Sequence, residues 1–230
     1  MVRGVFVTGT DTGVGKTLAA CALIHALRAR GVRAHPFKPV AAGAAMRSGR
    51  WANEDTLALM AAAELDHVAA ESVTPVLLRE ALAPHIAAAR EGRSISLAAI
   101  RAAFDRVVSD APFVVAEGVG GFRVPLGDGL DSVDMSRELG LPVVLVVGMR
   151  LGCLNHALLS GEAISKAGLR FAGWIANRID PAMAAHDENV AALEARLDAP
   201  LLGRLPYSAP PAARELASCL DVTALMSPAA

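Results

Sequence analysis

A glycine-rich loop between an apolar run and a helical segment constrains the fold of this chain most. Val5-Phe6-Val7 precedes the stretch Gly9-Thr10-Asp11-Thr12-Gly13-Val14-Gly15-Lys16-Thr17, and an apolar segment, 18–24, follows it. Strand, glycine loop and helix in this order are typical of a phosphate-binding loop, whose backbone N–H groups and helix N-terminus face an anion. We therefore predict a nucleotide-phosphate site, with Lys16 on the β- and γ-phosphates and the Thr17 hydroxyl on Mg²⁺.

The spacing inside this loop departs from the common pattern. The usual motif is G-x4-G-K-[ST], whereas five residues separate Gly9 from Gly15 in this chain. Two interpretations stay open from the residues alone. Either the loop is one residue longer, or Gly9 is not the equivalent glycine.

Composition excludes several function classes. The 230 residues suit one α/β domain with a sizeable core. A net charge of −1 gives no sign of the excess of basic residues that binds nucleic acid or a membrane surface. The apolar run 142–148 is too short to span a bilayer. The three cysteines, Cys21, Cys153 and Cys219, lack a metal-binding spacing. We therefore expect a cytoplasmic protein with reduced cysteines and neither a nucleic-acid nor a membrane partner.

Strand-like and helical segments alternate along the chain. Beyond the first strand, apolar runs near 32–40, 112–116, 142–148, 172–177 and 200–206 are separated by segments with helical periodicity. This alternation predicts a mostly parallel sheet with helices on both faces, as one domain over 1–230. Residues after Tyr207 are expected to form a loosely ordered tail.

Polar residues at the ends of these strands are candidates for the site, because ligands bind outside the carboxyl ends of parallel strands. Lys38 and Glu117 stand at two such ends, and Glu117 is a candidate for holding Mg²⁺. Asn177 ends a third strand and its amide suits a nucleobase edge. Asp55, at a helix start, has two open roles: a partner of the helix dipole or a metal ligand. The helix start at 152–156 suits an anion such as a carboxylate.

Seven motifs, taken together and in order, resemble dethiobiotin synthetases from residue 3 to about 206. They are the loop at 9–17, Lys-Pro-Val at 38–40, Asn-Glu-Asp at 53–55, Pro-His at 84–85, Glu-Gly-Val-Gly-Gly at 117–121, Leu-Gly-Cys-Leu-Asn-His at 151–156 and Ala-Pro-Leu-Leu-Gly at 199–203. The longer loop is normal for that family. The resemblance implies a P-loop NTPase fold.

The resemblance also implies an activity. It implies an ATP-dependent enzyme of biotin synthesis that carboxylates 7,8-diaminononanoate with CO2 and closes the cyclic urea of dethiobiotin, through a carbamate and a carbamic-phosphoric anhydride. Mg²⁺ is the implied cofactor, ATP is a substrate, and CO2 or bicarbonate supplies the carbon. The implied assembly is a homodimer with substrate at the interface.

Site residues carried over from the resemblance fall into four sets. The catalytic set is Lys38 on the carbamate side, Lys16 on the phosphate side, and Thr12. The metal set is Thr17, Asp55 and Glu117. The nucleotide set is Gly13, Val14, Gly15, Lys16, Thr17, Leu18, Asp55, Glu117, Gly118, Val119, Gly120, Asn177 and Pro206. The substrate set is Lys38, Ala42, Gly152, Cys153, Leu154 and Asn155. Some relatives have a hydroxyl residue at the position of Ala42, and some have a tyrosine at that of Asn189.

Two other classes of protein are alternatives to this interpretation. Switch ATPases of the partitioning type share the fold but carry a second lysine early in the loop, at the position of Asp11 here. An acidic residue cannot neutralise a partner's phosphate, which counts against that class. An amidase domain of cobalamin synthesis would need an attached glutaminase domain, for which 230 residues leave no room.

Overall fold

Six strands form one parallel sheet in the computed structural model, which describes residues 3–47, 49–65 and 67–226. The strands of the described chain are β1 (Gly4–Gly9), β2 (Ala34–Phe37), β3 (Val40–Ala41), β4 (Ala45–Arg47), β5 (Arg50–Ala52), β6 (Val76–Leu77), β7 (Phe113–Glu117), β8 (Pro125–Gly127), β9 (Leu130–Asp131), β10 (Val143–Met149), β11 (Phe171–Arg178) and β12 (Leu201–Leu205). The main sheet has the order β12-β11-β10-β1-β7-β2. The predicted parallel α/β sheet is confirmed.

Helices connect these strands. They are α1 (Lys16–Ala29), α2 (Glu54–Ala63), α3 (Ala70–Val73), α4 (Pro84–Arg90), α5 (Leu97–Asp110), α6 (Ser132–Leu139), α7 (Cys153–Lys166), α8 (His186–Glu194), α9 (Ala213–Leu216) and α10 (Thr223–Met226). Within the described ranges, every helix is too short or too polar to cross a lipid bilayer.

Both faces of the sheet are buried, which explains its almost continuously apolar strands. Successive side chains of a strand point to opposite faces. Val5 and Val7 of β1 therefore pack with α1 and α2, whereas Phe6 packs with α5 and α6. On the second face, β10 and β11 pack against α7 and α8. The helices thus cover both faces, as the alternation of segments predicts.

The sheet order brings the carboxyl ends of the strands to one edge. β1 lies between β10 and β7, with Gly9 beside Val146 and Val7 beside Glu117. β7 in turn pairs with the edge strand β2, with Phe37 beside Ala116. Consequently the loop after β1, Glu117 at the end of β7 and Lys38 after β2 emerge next to one another.

Two segments differ from the sequence-based expectation. The predicted strand 32–40 is two strands, because after β2 the chain leaves the main sheet and β3 pairs with β6 instead. The edge position of β2 tolerates Pro36, which lacks a donor. The polar stretch 44–53, expected as a loop, contains the antiparallel hairpin of β4 and β5.

The segment after Tyr207 is not the loose tail that the sequence suggests. Its helices α9 and α10 flank a short 3-10 turn, Ala217–Cys219. Leu216, Leu220, Val222 and Leu225 are buried in the cluster that contains α1. Their apolar side chains therefore extend the core, whereas 227–230 lie outside the described residues.

Candidate active site

The loop between β1 and α1 curls around the position expected for phosphate. Gly13 and Gly15 have φ of 75° and 85°, a left-handed backbone conformation in which a residue with a side chain would be strained. A Cβ on Gly15 would also collide with the side-chain amide nitrogen of Asn177. α1 then begins at Lys16, so its positive N-terminal end faces the loop.

Lys16 lies inside this loop. Its ammonium nitrogen donates to the carbonyl oxygen of Asp11 at 2.9 Å, and the residue is buried. Burial lowers the pKa of Lys16 to about 8, although the carboxylate of Glu117 opposes that shift. The ammonium is held by a neutral carbonyl, which leaves its charge to act on an incoming anion.

A buried cluster of charges adjoins the loop. The ammonium nitrogen of Lys38 lies 2.5 Å from Oε1 of Glu117 and 3.2 Å from Oδ2 of Asp55. It also donates to the carbonyl oxygen of Gly118 at 3.2 Å. The Thr17 hydroxyl donates to the same Oε1 of Glu117 at 2.9 Å. Two helix starts and two strand ends therefore meet at one cluster.

Opposite charges in the cluster favour the ionised forms of Lys38 and Asp55. Burial alone would lower the pKa of Lys38, but the carboxylates of Glu117 and Asp55 raise it above its usual value. Burial would raise the pKa of Asp55, but the positive charge of Lys38 lowers it below its usual value. Asp55 also lies in the first turn of α2, which Asn53 caps. The position of Asp55 is therefore compatible with both predicted roles, a partner of the helix dipole and a metal ligand.

Loop and cluster open into one cavity of about 1290 Å³. Most of the predicted residues line it. They are Thr12, Gly13, Gly15, Lys16, Thr17, Lys38, Ala42, Asp55, Glu117, Val119 and Gly120. The structure thus brings the predicted phosphate, metal and carbamate residues together in one place.

Five residues predicted to bind nucleotide support the site from behind or beside the cavity. Val14 is buried beneath the loop, Leu18 packs against the core, and Gly118 contributes the carbonyl that Lys38 contacts. Asn177 donates its amide to the carbonyl oxygen of Val14 at 2.9 Å. Pro206 follows Leu205, the β12 partner of Asn177, and is exposed. Asn177 therefore holds the loop from below, a contact that the base-edge interpretation did not anticipate.

The start of α7 lies apart from this cavity. Gly152, Cys153, Leu154 and Asn155 are not among the described residues that line it, and Cys153 is buried. Four residues further along the same helix do line it: His156, Leu159, Ser160 and Ala163. The predicted substrate role of the helix start therefore has no counterpart within this single chain.

Two residues noted as departures from the family pattern have local contacts. The carbonyl oxygen of Ala42 accepts from the Asn53 side chain at 3.2 Å, which ties the Lys-Pro-Val loop to α2. Asn189 donates to the carbonyl oxygen of Ala185 at 2.7 Å, at the start of α8.

Sequence reasoning missed further parts of the cavity wall. Segments 81–84 and 122–124 line it, including the exposed side chain of Arg123. Arg123 pairs with Asp131 at the end of the β8–β9 hairpin, which follows it in the chain. Pro84 belongs to the Pro-His motif at 84–85, but no local pattern marks 81–83 or 122–124, because they reach the cavity only through tertiary packing.

The donor set suits a magnesium ion. Thr17, Asp55 and Glu117 offer a hydroxyl and two carboxylates, the hard oxygen ligands that Mg²⁺ prefers. Oε2 of Glu117 is buried and has no hydrogen-bond partner among the described residues. No group of three or more His, Cys, Asp or Glu side chains within the described ranges forms an all-protein cage. Mg²⁺ typically keeps waters and phosphate oxygens in its shell, so a partial set fits it.

Comparisons with known proteins agree with this architecture. A family model described as "AAA domain" matches residues 3–213. The chain resembles the MinD cell division protein of Aquifex aeolicus, with a TM-score of 0.55 at 15% identity over 90% of this chain and 83% of that one. It also resembles the signal recognition particle receptor FtsY of Elizabethkingia anophelis, with a TM-score of 0.53 at 13% identity over 99% and 64% of the two chains. At these identities the likeness shows the P-loop NTPase fold alone.

Two curated relatives are much more similar. The ATP-dependent dethiobiotin synthetase BioD of Aromatoleum aromaticum is 58% identical over 207 residues, which cover 90% of this chain and 92% of the relative. The protein of the same name from Nitrosospira multiformis is 53% identical over 222 residues, or 96% of each chain. With this identity across almost the whole of both proteins, the chain belongs to the dethiobiotin synthetase family.

Proposed function

We propose that the protein converts 7,8-diaminononanoate, CO2 and ATP into dethiobiotin, ADP and phosphate, a ring closure of biotin biosynthesis. The names of the relatives at 58% and 53% identity support this reaction. The observation in the structure that carries it is Lys38, a buried ammonium group on the wall of the cavity that also holds the phosphate loop.

The chemistry requires such a group. One amine of the substrate adds to CO2 and forms a carbamate anion. A carbamate oxygen then attacks the γ-phosphorus of ATP, and ADP leaves. Both reactants are anions, so their approach needs positive charge already in place. Lys38 and Lys16 line one cavity, where Lys38 would meet the carbamate and Lys16 the phosphate, and Thr12 of the loop lines the same cavity.

The second amine completes the ring. Its nitrogen attacks the carbonyl carbon of the carbamic-phosphoric anhydride, the bond from that carbon to the phosphate oxygen breaks, and phosphate leaves with the electron pair. The amine gives up a proton and the product is a cyclic urea. Positioning and electrostatics are sufficient for both steps.

The remaining contacts follow from the same geometry. Thr17, Asp55 and Glu117 would hold Mg²⁺, which supplies charge neutralisation on the β- and γ-phosphates when bound. The backbone of 13–18 and 117–120 would hold the phosphates. Pro206 follows β12 next to the end of β11, where Asn177 holds the loop, and this position supports a base site at these two strand ends.

A homodimer is part of the proposal. Leu151, two residues before the start of α7, is 96% exposed, and Leu159 on that helix is 58% exposed. Apolar side chains this exposed suit an interface, where the 152–155 helix start would meet the remote carboxylate of the partner's substrate. Reduced cysteines agree with a cytoplasmic location.

The test measures phosphate release from ATP and formation of the urea with labelled bicarbonate. Release should require diamine and bicarbonate together. A nonanoate with a single amine serves as the matched control, because it can form a carbamate but cannot close a ring. Rapid ATP hydrolysis with neither substrate, or no labelled urea from the complete mixture, would overturn the proposed function.

A further inference from the structure

Asp11 places a negative charge inside a site built for anions. It lies in the phosphate loop and lines the cavity. Its carbonyl oxygen accepts from the Lys16 ammonium at 2.9 Å, and its own carboxylate oxygen Oδ1 accepts from the Thr12 N–H at 2.7 Å. Asp11 therefore contacts two groups that face an incoming phosphate. An uncompensated carboxylate here would repel a triphosphate.

Arg150 compensates this charge from another part of the fold. Its Nη2 donates to Oδ2 of Asp11 at 2.8 Å, 139 residues away in sequence. Arg150 follows β10, the neighbour of β1 on the side opposite to β7. Its carbonyl oxygen accepts from the Cys153 N–H at 3.0 Å and so closes the turn into α7. The turn fixes the backbone from which the guanidinium reaches the loop.

Arg150 acts on the site through Asp11. Asp11 is among the residues that line the cavity, whereas Arg150 is not one of the described residues that do. The two side chains are 47% and 44% exposed, and pairs with such exposure add little to folding stability. We therefore expect the pair to affect ligand binding at the cavity that Asp11 lines more than the free energy of unfolding.

We propose that Arg150 is a positioning residue of the phosphate site, whose guanidinium neutralises and orients the Asp11 carboxylate so that the loop accepts a triphosphate. The inference rests on the proposed function only in taking ATP as the ligand. It explains how an acidic side chain is accommodated in the phosphate loop, where it lines the cavity.

A double-mutant cycle tests this arrangement by the dissociation constant of ATP, measured calorimetrically without diamine. R150Q should weaken ATP binding about tenfold, because the Asp11 charge then faces the phosphates alone. Adding D11N to R150Q should restore the constant to within about threefold of the wild type, since the charge is gone and the amide oxygen can still accept from Thr12. R150K, which keeps the positive charge, should also bind close to the wild type.

R101Q is the matched control. Nη2 of Arg101 lies 2.8 Å from Oδ1 of Asp105 on α5, a pair of similar exposure away from the cavity. Its removal should leave ATP binding unchanged. Wild-type affinity in R150Q would overturn the inference. So would failure of D11N to rescue R150Q, because that result would mean that Arg150 contacts the phosphates itself or only shapes the turn.

The proposed function and the proposed role of Arg150 can each be overturned without the other. ATP binding is measured without the carboxylation substrates, so the cycle can succeed in a protein that forms no dethiobiotin. Conversely, dethiobiotin formation by the wild type with no coupling between Asp11 and Arg150 would overturn only the role of Arg150.

Discussion

The ammonium nitrogen of Lys38 lies 2.5 Å from Oε1 of Glu117, and both side chains are almost completely buried. This pair joins the chain after the edge strand to the end of its neighbour, directly beside the phosphate loop. Removing one partner of a buried pair leaves an uncompensated charge. Substitutions here therefore affect folding as well as chemistry, and the two effects must be separated.

Replacement of Lys38 by Met should reduce the rate of dethiobiotin formation by roughly 100-fold or more, because the carbamate loses its cation. The variant should also lose about 3–5 kcal/mol of unfolding free energy in urea, because Glu117 remains buried and unpaired. Adding Glu117→Gln to the variant should recover much of the stability but none of the activity. A full rate in Lys38→Met would show that Lys38 plays no part in the chemistry.

Replacement of Lys16 by Ala should reduce turnover by roughly 100-fold to 1000-fold and weaken ATP binding, since the loop loses its charge on the transferred phosphate. Steady-state kinetics with varied ATP measure both effects. Lys166→Ala is the control, because that lysine is 78% exposed on α7 and pairs with Glu162. Equal rates in the two variants would contradict the role of Lys16.

Replacement of Glu117 by Gln should raise the Mg²⁺ concentration needed for half-maximal turnover by about tenfold or more, because the amide is a weaker ligand than the carboxylate. Treatment of the wild type with EDTA should stop turnover, and added Mg²⁺ should restore it. Glu138→Gln on α6, at an exposed position, should leave the Mg²⁺ requirement unchanged. An unchanged requirement in Glu117→Gln would remove Glu117 from the metal set.

Replacement of Asn177 by Ala separates the two roles of this residue. The side chain donates to the Val14 carbonyl and so holds the loop in place. Its loss should therefore weaken the binding of ATP, GTP and CTP by the same factor, about five- to tenfold. Competition binding with the three nucleotides gives the three constants. A change confined to ATP would instead indicate that Asn177 recognises the base.

Replacement of Asp131 by Ala should cost about 1–2 kcal/mol of unfolding free energy at neutral pH. Asp131 caps α6 by accepting from the Val133 N–H at 2.8 Å, and it pairs with Arg123. Burial would raise the pKa of Asp131, but the hydrogen bond from Arg123 and those from the backbone lower it below its usual value.

The sign of the pH dependence follows from that shift. A carboxyl group with a depressed pKa in the folded state stabilises the protein above its unfolded pKa. The contribution is lost as the pH falls through the folded value. The difference between wild type and Asp131→Ala in urea unfolding should therefore shrink from pH 7 to about pH 3. The exposed Asp198 provides the control variant, Asp198→Ala, and a constant difference for Asp131 would contradict the shift.

Local patterns predicted the framework of the site well. Glu117 ends β7, Lys38 follows β2 and the glycine loop precedes α1, as the sequence indicated. The prediction of a loosely ordered tail after Tyr207 was wrong. The leucines of this segment are too scattered to show a clear period, but they are buried against α1. The alternative roles of Asp55 could not be separated either, because its contact with Lys38 depends on the path of a loop.

The sequence by itself determined the loop, the alternation of strands and helices, and which polar side chains stand at strand ends. These features are local, because a glycine conformation, a helix cap or a strand period involves only neighbouring residues. Only the tertiary structure decided that Lys38 and Glu117, 79 residues apart, form a pair, and that Asp11 meets Arg150 across 139 residues. Such contacts depend on strand order, which the packing of the whole chain selects.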